Sequence, residues 1–212
     1  MEPTMARPLA VIHTVTALVP VFDELIGRHL PNWKPFNIVD ESLLRITIGE
    51  GSLSQRTIRR FAGYVWSAAD AGAEAILVTC SSLGRAVDEV AHLSPVPLVR
   101  VDLGMVDRAL ETGGRIGVLA TLRTTLEPTT ALVRRRAGEM KRDPDIQSLV
   151  VDGAFEQLSK GNREEHDRRI VESVNILSVP VSRCDHPGPG VDGTRPRGWC
   201  GAADRNPRIL EP

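Results

Sequence analysis

An excess of charge of either sign is missing: 26 Lys and Arg stand against 27 Asp and Glu, a formal net charge of -1, and the charges are spread along the chain. Such a balance gives no electrostatic case for nucleic acid or an anionic membrane as partner. Cysteine is sparse. Cys80, Cys184 and Cys200 have neither the short paired spacing of a zinc site nor the density of a disulfide scaffold, so the expected setting is a reducing cytoplasm. Long hydrophobic runs are missing too, since no stretch approaches the roughly 20 apolar residues needed to cross a bilayer. The run over 9–22 follows Arg7 but contains His13, Thr14 and Thr16 and leads into Asp23 and Glu24 without a small-residue cleavage site. It reads as structure, not targeting. What is present is a 212-residue chain with 42% apolar content, enough for the core of a globular protein.

The apolar pattern alternates between strand and helix lengths, the signature of an α/β fold with a parallel sheet. LAVIHT is a strand ending in His13 and Thr14, and ALVPVFDELIGRHL a helix with Leu18, Phe22, Leu25 and Ile26 on one face and Pro20 in its first turn. PFNIVD is a second strand, followed by the polar rim Asp40, Glu41 and Ser42; LLRITIGEG reads equally as helix or irregular loop. From Ser54 the spacing of Ile58, Phe61, Ala62, Val65, Trp66 and Ala69 predicts a helix stopped at Gly72, with Trp66 as packing. The strand over 75–79 delivers Cys80, Ser81 and Ser82 to the start of the next helix.

PVPLVRVD restarts the alternation, so the division into halves is expected at 96/97, with a first half over 1–96 and a second, incomplete one over 97–177. Asp102 is expected to cap the helix LGMVDRALETGG. RIGVLAT then ends at Thr121, with Thr124 and Thr125 just beyond, in a helix whose Pro128 is expected in the first turn. Arg134, Arg135 and Arg136 point in different directions and read as a solvated face. DIQSLVVD is another strand, and residues 155–177 form polar helices. Residues 178–212, dense in Pro, Gly and Arg, are expected to be an irregular tail of the kind a change of reading frame would produce.

Three strand-to-helix junctions carry related polar groups: His13 with Thr14, Cys80 with Ser81 and Ser82, and Thr121 with Thr124 and Thr125. In a doubly wound sheet they share one edge, where helix amino termini offer unpaired amides and partial positive charge. That is a pocket for a small carboxylate, held by amides and hydroxyls. A thiol there, its pKa expected to be lowered by the helix terminus, can move a proton at the carbon beside the carboxylate. The plainer alternatives are that Cys80 is a small core residue, that His13 satisfies a backbone carbonyl and that the threonines are caps.

Taken together these segments resemble the aspartate/glutamate/hydantoin racemase superfamily. VTCSSLG is similar to its first catalytic-cysteine motif and RIGVLATLRTTLEPT to its second-half carboxylate-binding segment, while IHTV and DESLL fall where related members have similar stretches. The resemblance spans roughly residues 9–176. It implies two pseudo-symmetric flavodoxin-like halves with the site in the cleft between them, no cofactor and no metal, and a homodimer. It implies that Cys80 is the first acid/base, that Ser81, Ser82, Thr121, Thr124 and Thr125 hold a small carboxylate substrate, and that His13 and Thr14 line the cleft. A second cysteine would follow the last large strand; Cys184 lies nearby, but VSRCDHPG lacks the preceding strand and the hydroxyl residues after it. The expected function is therefore a cofactor-independent racemase or isomerase. Alternatives on the same scaffold are a maleate isomerase-like or decarboxylase-like enzyme, or a catalytically silent carboxylate-binding protein with a defective C-terminus.

Overall fold

The structure is a computed structural model that describes residues 6–178 and, beyond them, the backbone of Val181–Ser182, Cys200–Gly201 and Arg208–Leu210. The chain is α/β, with two parallel sheets. The first joins β1 (Arg7–His13), β2 (Trp33–Val39), β3 (Ala75–Val78) and β4 (Leu98–Arg100) in the order β2-β1-β3-β4. β1 is central, and side-chain alternation along it feeds two cores. Ala10 and Ile12 pack with Leu43, Phe61, Val65 and Ile76, whereas Leu9 and Val11 pack with Ile26 and Phe22. Burial on both faces explains why β1 reads as a continuous apolar run.

Four helices surround this sheet: α1 (Val19–His29), α2 (Glu41–Glu50), α3 (Gln55–Asp70) and α4 (Gly84–Val90). The ambiguous LLRITIGEG is helical because Asp40 caps α2, accepting from the Ser42 amide at 2.9 Å, and Gly51 ends it at φ 67°. Ser54 caps α3 through the Thr57 amide, as expected. Trp66 departs from expectation: it is 41% exposed, because Phe61, Val65 and Ala68 fill the buried stripe and position 66 turns out of it.

α5 (Leu103–Thr112) leads to the second sheet, where β5 (Arg115–Ala120) lies between β6 (Asp145–Val150) and the short strand Arg208–Leu210, all parallel. α6 (Arg123–Glu139) follows β5; α7 (Ala154–Ser159) and α8 (Arg163–Ser178) follow β6. Ile116 and Val118 pack with Leu110, Leu132 and Val133, and Leu119 with Val151 and Leu177.

Three expectations are revised by these pairings. β4 bonds to β3 from Ile76↔Leu98 to Val78↔Arg100, so residues 98–100, expected in the second half, pair in the first sheet. Pro128 sits in the second turn of α6, not the first, because the helix already begins at Arg123. The irregular tail falls for the most part outside the described residues; within it, Arg208–Leu210 supplies the second sheet with a strand, Val181–Ser182 pairs antiparallel with Cys200–Gly201, and both pairings depend on partners distant in sequence.

Candidate active site

The order β2-β1-β3-β4 makes the chain reverse its winding at β1, and the crevice beyond the carboxyl ends of β1 and β3 is where such sheets bind ligands. Thr14 and Cys80 leave those two strands side by side. Cys80 is extended (φ -119°, ψ 108°) and precedes the tight turn Ser81–Leu83 that starts α4. Its half-buried thiol is faced by the hydroxyls of Thr14 and Ser82 and by the amides of Ser82 and Leu83. Burial is nevertheless the largest influence and pushes the Cys80 pKa up from its ordinary value. The expected lowering is therefore corrected: four donors are present, but removal from water outweighs them.

The second half reaches the same turn. Ser82 Oγ lies 2.8 Å from Thr125 Oγ1 and 3.4 Å from Thr124 Oγ1, at the first turn of α6. Thr14, Ser81 and Ser82 are buried, and Thr121, Thr124 and Thr125 half-buried. Thus Cys80, Thr14, Ser82, Thr124 and Thr125 form one cluster, with Thr121 at the carboxyl end of β5 and Ser81 in the Cys80 turn.

His13 is placed differently. It has no exposed surface, Nε2 lies 2.9 Å from Asn37 Oδ1, Nδ1 lies 3.0 Å from Thr79 Oγ1, and Phe22 meets its ring edge-on. Asn37 Nδ2 in turn donates to Asp23. Because Oδ1 of Asn37 can only accept, Nε2 carries the proton, and Nδ1 faces the Thr79 hydroxyl, which also lies 3.2 Å from the Ile12 carbonyl. Burial lowers the His13 pKa, with Asn37 and Asp23 opposing. His13 is therefore a neutral, fully occupied ring one residue behind Thr14, and it reaches the site through Thr79, which precedes Cys80.

The Asp/Glu/Hydantoin racemase family model matches residues 8–180. The chain belongs to that family. A search of curated proteins finds no match. Solved structures similar to this racemase-family chain include glutamate racemases from Bacillus anthracis (17% identity, TM-score 0.59, covering 82% of this chain and 63% of that one) and Aquifex pyrophilus (19%, 0.55, 81% and 66%). A third, from Francisella tularensis and in complex with D-glutamate, has 19% identity and a TM-score of 0.58, covering 74% of this chain and 57% of that one. At these identities the likeness is one of fold, and the family chain spans 63% and 57% of the length of the Bacillus and Francisella enzymes.

Two clusters in this family member escaped the sequence reading. Arg100, 5% exposed, bonds Asp102 through Nε (2.9 Å) and Nη2 (2.8 Å) and Asp88 through Nη1 (2.9 Å), and approaches the Pro128 carbonyl at 3.4 Å. Thr129 donates to Asp102 at 3.2 Å and Arg135 to Asp88 at 3.0 Å. Asp102 therefore holds a buried guanidinium and makes no helix-capping bond, contrary to expectation. The network also gives Arg135 a specific partner, and Arg136 pairs with Asp107, so the arginine run is not merely a solvated face. Gly84 is required here, since a Cβ would stand 2.4 Å from the Arg100 guanidinium carbon. Arg60 and Tyr64 likewise converge on Asp40 at 2.6 and 2.7 Å; burial opposes its charge, but these donors and Ser42 hold the carboxyl below its ordinary value. The available signal was the two-residue spacing of Arg100 and Asp102 at a strand end; the partners from α4 and α6 carry none.

Among the described residues no group of three or more His, Cys, Asp or Glu could hold a metal ion, and no helix is long and apolar enough to cross a membrane. Cys184 lies outside the described residues, and of Cys200 only the backbone is described.

Proposed function

We propose that the protein is a cofactor-independent racemase or isomerase in which Cys80 moves a proton at the carbon beside a small acid's carboxylate. Family membership and the racemase fold support the reaction class. The observation that carries the residue assignment is the Cys80 thiol at the carboxyl edge of β3, faced by the hydroxyls of Thr14 and Ser82 and by the amides of Ser82 and Leu83. In this reading the hydroxyls of Ser82, Thr124 and Thr125 and the adjoining amides hold the carboxylate. The Cys80 thiolate takes the α-proton, becoming a thiol, and the charge left on carbon spreads into the carboxylate facing those donors. A raised pKa makes the thiolate a stronger base but a scarcer one near neutrality. Inversion also requires a donor on the opposite face, for which Cys184 is the nearest candidate in the sequence, although it lacks the flanking strand and hydroxyl residues.

Incubation of candidate acids in deuterium oxide tests the proposal. Deuterium should enter the α-carbon, and Cys80→Ala should abolish the exchange; exchange that survives the substitution removes Cys80 from the role. Entry with inversion indicates two acid/base groups, entry with retention one. Thermal stabilisation by an acid that never exchanges would favour a silent carboxylate-binding protein.

A further inference from the structure

A cleft of about 300 Å³ opens beside the reacting thiol. Its floor includes Ser82, whose hydroxyl faces Cys80, and Thr124, which lies against Ser82. Beyond those hydroxyls its walls are Leu53, in the turn between α2 and α3, and Pro128 and Ala131 on α6. Leu53 is anchored against the first core, and Pro128 has no amide to offer a ligand.

Charged groups also border the cleft, but the cations are committed. Arg85 bonds Glu89 at 2.7 Å, and Asp88 is held by Arg100 and Arg135. Glu127 also lines the cleft and has no ion-pair partner among the described residues. A second carboxylate placed there would meet Glu127 and Asp88, and the one lining cation, Arg85, already pairs with Glu89 on the exposed face of α4. The cleft's volume exceeds what a short dicarboxylic side chain needs, because an apolar cavity of about 150 Å³ already accepts benzene.

We propose that the substrate's side chain is apolar and uncharged, of aryl or branched-alkyl size, and lies in this cleft against Leu53, Pro128 and Ala131. This rests on the Cys80 reading, in which the same Ser82 and Thr124 hold the carboxylate. A dicarboxylic amino acid is then a poor substrate, excluded by Glu127 and by unfilled apolar surface.

Four amino acids with the same ammonium and α-carboxylate isolate the side chain: phenylalanine, leucine, aspartate and glutamate. Each is measured for its shift of the melting temperature and for α-proton exchange in deuterium oxide. Phenylalanine and leucine should bind at least about tenfold tighter than aspartate and glutamate, the scale on which apolar pockets discriminate. Ala131 is exposed, so Ala131→Trp should fold while filling the cleft. It should weaken phenylalanine at least about tenfold with an unchanged far-ultraviolet circular dichroism spectrum, and Glu127→Gln should improve aspartate binding. Preference for aspartate or glutamate, binding of phenylalanine that Ala131→Trp leaves intact, or no binding by any of the four overturns the inference. Apolar preference in binding without exchange upholds the cleft and sinks proton transfer; exchange of aspartate abolished by Cys80→Ala does the reverse.

Discussion

In the proposed reaction Cys80 must lose its proton, in a place where burial opposes the loss. Its alkylation rate should therefore climb about tenfold per pH unit between pH 7 and 9, following the thiolate fraction. A plateau already below pH 8 contradicts the assignment of a raised pKa. His13 carries the opposite sign. Its folded-state pKa is depressed, so below the unfolded value of about 6.5 the unfolded chain binds more protons. The stabilisation is present above that pH and lost as pH falls through the folded value. The melting temperature should drop from pH 7 to pH 5, and drop less in His13→Gln. Thr130 offers a simpler test, since its hydroxyl is buried and has no hydrogen-bond partner among the described residues. Thr130→Val should stabilise the protein by about 1 kcal/mol in denaturant unfolding.

β4, α4 and α6 meet at one buried guanidinium. Removing Arg100 would strand the wholly buried side chain of Asp102, a change that typically costs about 3–5 kcal/mol. Arg100→Met should show that loss in urea unfolding, and Arg100→Met with Asp102→Leu should recover most of it, because two apolar groups leave no charge uncompensated. Failure of the double substitution to recover stability would show that the network matters through packing on Gly84 rather than through charge. α6 is tied to this network at its proline: the Pro128 carbonyl approaches Arg100, and the flanking Thr129 donates to Asp102.

At the scale of the molecule, several polar contacts join the two halves, and the ones beside the thiol run from Ser82 to Thr124 and Thr125. Thr125→Val should cost only about 1 kcal/mol of stability, yet reduce carboxylate binding several-fold in a titration followed by thermal shift. Equal binding by the variant would take Thr125 out of the site. Much of this architecture was legible in the chain. Apolar runs of strand length, broken by hydroxyl residues and followed by helical periods, specify β1, β3 and β5 and deliver Thr14, Cys80 and Thr121 to the carboxyl ends of those strands, in two sheets rather than along the one edge expected, because period and length are local properties. Tertiary structure alone decided the rest. It assigned β4 to the first sheet, turned Trp66 outward, occupied both nitrogens of His13, bound Arg100 to Asp102 and Asp88, and raised the Cys80 pKa. Each of these outcomes depends on which distant residues come into contact and on how much water they exclude, and neither quantity is written in the spacing of residues along one segment.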